Sequence, residues 1–199
     1  MELLNITNLK SLITFTHLAG LAFGLGGAWI LDLFIVRYFR SETVSEERYQ
    51  FLEFVSKLVL AGLVILWVSG LLFVLYYYLY TPEYLYNQKV WAKTFIVTVL
   101  SLNGVMIHRK LMPVIKRSIG KNLLVSLSLT EIRSMLTIGT VSVVSWVFPV
   151  VLGVAKTLNF SATAIVIAIS YLVILAITLM LVHMLFNMIN QKPKQLQID

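Results

Sequence analysis

The chain has no cysteine. That excludes disulfides, thiolate metal sites, cysteine-ligated iron–sulfur clusters, covalent c-type haem and palmitoylation. Any metal or cofactor must be held by His, Met, Asp, Lys or the backbone. Charge is scarce too: 13% of the 199 residues are Asp, Glu, Lys or Arg, against about a quarter in soluble domains. With 59% hydrophobic residues and a mean hydropathy of +0.87, this composition predicts a membrane protein throughout. No Gly/Ser linker, low-complexity tract or long-period repeat divides it, so one membrane domain over residues 1–199 accounts for the length. Phosphate-binding glycine loops, hydrolase nucleophile elbows and the HExxH zinc motif are all missing. A hydrolase is thereby disfavoured, and the enzymatic option left open is a membrane oxidoreductase. The N-terminus, MELLNITNLK, lacks a basic region and a small-residue cleavage site, which predicts that the first span is retained.

What is present is five apolar runs, at about 12–38, 51–80, 90–112, 135–156 and 162–187. Each is long enough for a helix across a hydrocarbon core of about 30 Å. The runs are continuous rather than alternating, which argues against strands. The predicted fold is all-α, a polytopic bundle of five transmembrane helices. Thr43 and Glu46 have capping-box spacing ahead of the second span, and Glu53 with Lys57 has the spacing of an i,i+4 ion pair. The connection from Pro113 to Arg133 starts basic and continues as NLLVSLSLTEI, amphipathic enough to lie on a leaflet surface.

The formal net charge of +7 reads here as loop charge that sets orientation, not as a nucleic-acid footprint. Of the sixteen Lys and Arg residues, twelve fall in the loops after spans 1 and 3 and at the C-terminus, Arg37, Arg40, Lys192 and Lys194 among them. Four (Lys10, Lys89, Lys93 and Lys156) fall on the opposite side. The positive-inside rule then predicts an outside N-terminus and a cytoplasmic C-terminus, in a cell inner membrane. Tyrosines from Tyr76 to Tyr86, with Trp91, form an aromatic belt at the outer interface.

Span 1 carries His17, Gly20, Gly24, Ala28 and Asp32 at intervals of three and four, hence on one face. The small residues let another helix or a flat ligand approach, and make a seam for a homo-oligomer or a membrane partner. Ionisable groups inside a span are costly and default to function. His17 and Lys93 are candidates at the outer side and Asp32 at the inner side, where Asp32 could hold His108 if spans 1 and 3 are neighbours. Lys93 also suits simple snorkelling to the headgroups. His108 and His183 sit at similar depth on different helices, the arrangement of two axial ligands to a b-type haem. A competing set, Met180, His183 and Met184, suits Cu(I), although such a methionine stripe also serves as soft packing. Asn103 predicts a hydrogen bond across the bundle, and Pro149 a kink in span 4.

His17 opening span 1, Gly27 ten residues later, the ending FIVRYF, and Trp91-Ala92-Lys93 at the start of span 3 resemble a known family. It is that of the HemJ-type protoporphyrinogen oxidases and the related copper-resistance D membrane domains, over about the first 115 residues. Where HemJ-type proteins carry Pro-Arg late in span 1, this chain has Asp32-Leu33. The resemblance implies the broader class: a helical bundle that binds haem b and moves electrons to or from the membrane. On that reading His108 and His183 ligate iron, while His17, Lys93, Gly20 and Gly24 serve the cofactor. The alternatives are a small transporter, with copper its most specific cargo, and a non-catalytic subunit docking through Gly20, Gly24 and Ala28.

Overall fold

The computed structural model describes residues 2–38 and 43–191, and these are almost wholly helical. Helices α1 (Glu2–Tyr38) and α2 (Glu46–Tyr80) form an antiparallel pair. A 3-10 turn, Pro82–Tyr86, leads to α3 (Gln88–Met106), which runs through one π-helical turn, Ile107–Leu111, into α4 (Met112–Arg117). After the short α5 (Leu123–Ser126) come α6 (Leu129–Val154) and α7 (Ala164–Gln191). Five stretches are long and apolar enough to cross a membrane, and their exposed flanks of Leu, Ile, Val and Phe face the lipid. Arg40, Lys192 and Lys194 lie outside the described residues.

The bundle has two distinguishable ends. One gathers Tyr76, Tyr77, Tyr80 and Tyr84 in a chain of ring contacts, with the Lys10 ammonium 5.5 Å from the Tyr84 ring centroid. The other carries Arg48, Arg109, Lys110, Lys116 and Arg117. These are called below the tyrosine end and the basic end.

The basic end is closed by a plug built from loops. Val44 donates its N–H to the Lys121 carbonyl (3.0 Å) and accepts from the N–H of Gly120 (2.8 Å), where a φ of 80° suits glycine. Thr43 is thus drawn into pairing with Asn122, and the expected cap passes to Ser45, whose hydroxyl accepts from the Arg48 N–H. The Glu53–Lys57 pair forms as its spacing predicts, at 2.8 Å. The segment expected on a leaflet surface turns inward instead. Leu123 and Leu127 are buried with Val44, Leu52 and Ile115, because that cluster gives them an apolar surface to cover. From Leu129 the chain is already α6, started by a capping box in which Ser128 and Glu131 satisfy each other's backbone N–H groups. Arg117 pairs with the same glutamate and ties α4 to α6.

Between α1 and α2 the backbones come very close. A Cβ on Gly62 would lie 2.7 Å from the Gly20 carbonyl oxygen and 2.8 Å from Gly24 Cα. Gly24 also receives the Trp146 indole from α6, with Cζ3 2.8 Å from where its Cβ would be. The seam of Gly20, Gly24 and Ala28 is therefore filled from within the chain. It has no room for a flat cofactor and presents no face for a partner helix, because an internal neighbour already occupies it.

The π turn has a local cause. Pro113 has no N–H, and its ring would press on the carbonyl four residues earlier in a regular helix. Widening the preceding turn, with the Met112 N–H reaching back to the Ile107 carbonyl, relieves both problems. Pro149, by contrast, lies within the unbroken span of α6.

Candidate functional site

A cavity of about 570 Å³ lies in the half of the bundle toward the basic end. Five helices, α1, α2, α4, α6 and α7, and the π turn frame it. Asp32 and Val36 come from α1, Val59 from α2, Gly139 and Val143 from α6, and Val182 and Phe186 from α7. Leu52 of α2 and Ile115 of α4 close it below, packed in one cluster with Val44 and Leu123 of the plug. Helices α1 and α7 both line it and both pack on α6 but scarcely on each other, which leaves a gap between them. Its walls are almost entirely apolar. Thr140 and Thr178 turn their hydroxyls back to the Leu136 and Ile174 carbonyls in their own helices.

Asp32 is the one charged side chain among the described residues of this lining. Its Oδ2 is buried and accepts no hydrogen bond. The expected partnership with His108 does not form, because α1 lies against α2 and α6 rather than α3. Nor does Asp32 form an ion pair with Arg37 or Arg109 among the described residues. A lone carboxyl oxygen facing apolar walls is expensive unless something compensates it.

The imidazoles lie elsewhere. His108 is exposed on the π turn and lines a separate cleft with Tyr49, Glu53, Lys57 and Lys116. His183 turns toward α6, its Nε2 3.0 Å from Thr137 Oγ1. Neither lines the Asp32 cavity; His108 lies in the walls of two others, neither of which includes His183. A haem axial pair requires two imidazoles facing one space, so the residues as placed do not fit that group. Copper fares no better. Met180 and Met184 are 65% and 57% exposed on the lipid flank of α7, away from the Thr137 contact of His183. Among the described residues no three His, Asp or Glu side chains gather as a metal would need.

At the tyrosine end lie His17 on α1 and Lys93 on α3. Ser69 Oγ lies 2.6 Å from the Ile65 carbonyl, which must take its one proton. The 2.8 Å contact between His17 Nδ1 and Ser69 Oγ is then an Nδ1–H donating to the hydroxyl oxygen. Phe73 stands edge-on to the ring at 5.6 Å. The Lys93 ammonium extends to the end of α6, 3.7 Å from where a Cβ on Gly153 would be. Its neighbour Lys89 is fully engaged in structure, donating to the Ala155 carbonyl (2.7 Å) and to Asn159 Oδ1 (2.8 Å).

Sequence reasoning singled out Asp32 but missed the cavity around it. Gly139, the residue whose missing side chain leaves the space open, drew no attention because one glycine inside a span has no distinctive signal. Comparison of the chain with protein-family models, curated proteins and solved structures returns no match. The likeness to the HemJ-type proteins therefore stands on its short motifs alone.

Proposed function

We propose that this chain is a multi-pass protein of an inner membrane that takes a lipophilic molecule from the bilayer into its cavity, in the manner of a small carrier. The supporting observation is the apolar cavity of about 570 Å³ beside the gap between α1 and α7. Its size is that of a drug-like ligand, and the gap suits entry of a molecule already dissolved in lipid. With the basic end cytoplasmic, as the charge count favours, the gap lies in the inner leaflet. The competing reading, a haem-dependent redox role, needs an imidazole on the cavity wall.

The test uses protein in lipid nanodiscs and tritiated dodecanol as a neutral probe. Saturable binding above that of empty nanodiscs is expected. Gly139→Phe should remove it, because no atom lies within 4 Å of the Cβ that residue would add, and the new ring fills the space without displacing neighbours. Binding unchanged in Gly139→Phe, or none in the wild type, overturns the reading. So does a Soret band with a reduced α-band in the purified protein that disappears in His108→Ala or His183→Ala.

A further inference from the structure

Apart from the hydroxyls of Thr140, Ser142 and Thr178, the cavity is apolar save for one ionisable group with no internal partner. Structural carboxylates in membrane helices pair with a cation or accept hydrogen bonds; Asp32 Oδ2 does neither. None of the wall hydroxyls bonds to it: Thr140 and Thr178 donate to carbonyls of their own helices, and Ser142, the remaining hydroxyl of the lining, makes no hydrogen bond to Asp32 Oδ2. An apolar residue at position 32 would serve the fold better. A divalent metal is a poor candidate for the missing partner, since it needs several oxygen ligands and no group of three candidate ligands exists among the described residues. What the site lacks is one positive charge with N–H donors, attached to an apolar body that fills the remaining space.

We propose that the cavity selects lipophilic organic cations, protonated amines above all, with the ammonium seated on Asp32 Oδ2 and the apolar body lying between α1 and α7. This rests on the cavity being a ligand site and adds the class of ligand. An amine reaching Asp32 from the lipid exchanges the headgroup region for a fixed counter-charge, whereas an alcohol gains only a hydrogen bond. A carboxylate of the same length meets like charge and is rejected.

Dodecylamine, dodecanol and dodecanoate differ only in the head group, so they separate charge from burial. Each is measured against wild type, Asp32→Asn and Gly139→Phe in nanodiscs, with empty nanodiscs subtracted. The expected result is an amine that binds wild type at least tenfold more tightly than the alcohol. In Asp32→Asn that preference disappears while the alcohol binds as before, which also shows that the variant is folded. Equal binding of amine and alcohol to wild type, a preference for dodecanoate, or an amine preference that survives in Asp32→Asn overturns the cation assignment and leaves the cavity reading intact. If none of the three probes binds above empty nanodiscs, both fall together.

Discussion

Replacing Gly62 by alanine adds one methyl group at the point where α1 and α2 touch, and the atoms it meets are backbone. Ordinary contact begins near 3.4 Å, and the new carbon would stand 2.7 Å from the Gly20 carbonyl oxygen and 2.8 Å from Gly24 Cα. The Gly24 backbone nitrogen is nearer still, and no rotamer change relieves this, so the helices must part by about 1 Å, a gap at which neighbouring atoms forfeit a quarter to a half of their dispersion energy. Overpacking of this kind costs about 1–3 kcal/mol. Alanine regains about 0.5–1 kcal/mol of helix propensity over glycine, and that gain is measurable separately. At Gly70 and Gly104 an added Cβ meets nothing within 4 Å, so those alanine variants report the propensity gain alone. Gly62→Ala should therefore lie about 1–3 kcal/mol below Gly70→Ala. Reversible unfolding in mixed detergent–SDS micelles, followed by helical circular dichroism, gives the comparison. If Gly62→Ala and Gly70→Ala agree within about 0.5 kcal/mol, the spread expected of unremarkable substitutions, the close crossing is not what holds α1 to α2.

Two other predictions concern polar contacts. Asn103 Nδ2 donates to the Ile138 carbonyl at 3.1 Å across α3 and α6, so Asn103→Leu should cost about 0.6–1.7 kcal/mol in the same assay; loss of the fold would show that this residue does more. Tyr171 is wholly buried with its hydroxyl 2.8 Å from Ser145 Oγ. Tyr171→Phe should cost about 1–3 kcal/mol by leaving that serine unpaired, and Tyr171→Ala about 3–5 kcal/mol through the void; equal costs would refute the ring's role as the anchor of α7.

The five spans, the Glu53–Lys57 pair and the Asn103 bond were legible because each follows from local spacing or from the cost of a lone polar group in lipid. The seam on α1 was legible as a close approach but not as an internal one. Its counterparts, Gly62 and Trp146, come from two other helices, and periodicity on α1 gives no information about which helix arrives. Ser128 and Glu131 do carry the capping-box spacing in the sequence, and reading NLLVSLSLTEI as one amphipathic unit obscured it. Matching depth did not bring His108 to His183. Depth along a span says nothing about azimuth, and these two imidazoles point to opposite neighbours, α2 and α6. The cavity was not legible at all, since side chains separated by more than a hundred positions build its walls.

Helix α7 is attached unevenly. Ile167 and Tyr171 are locked into the core at the tyrosine end, while toward the basic end its side-chain bonds are His183 to Thr137 and Asn187 to Arg133, the latter at 3.3 Å. It is a lever with its fulcrum at Tyr171. Asn187 lies sixteen residues further along, about 24 Å at 1.5 Å per residue, so tilting the rod by about 5° swings its far end by about 2 Å. Two exchangeable polar contacts and the packing of Phe186 on the basic-end cluster resist that swing, and the gap it widens is the one beside Asp32.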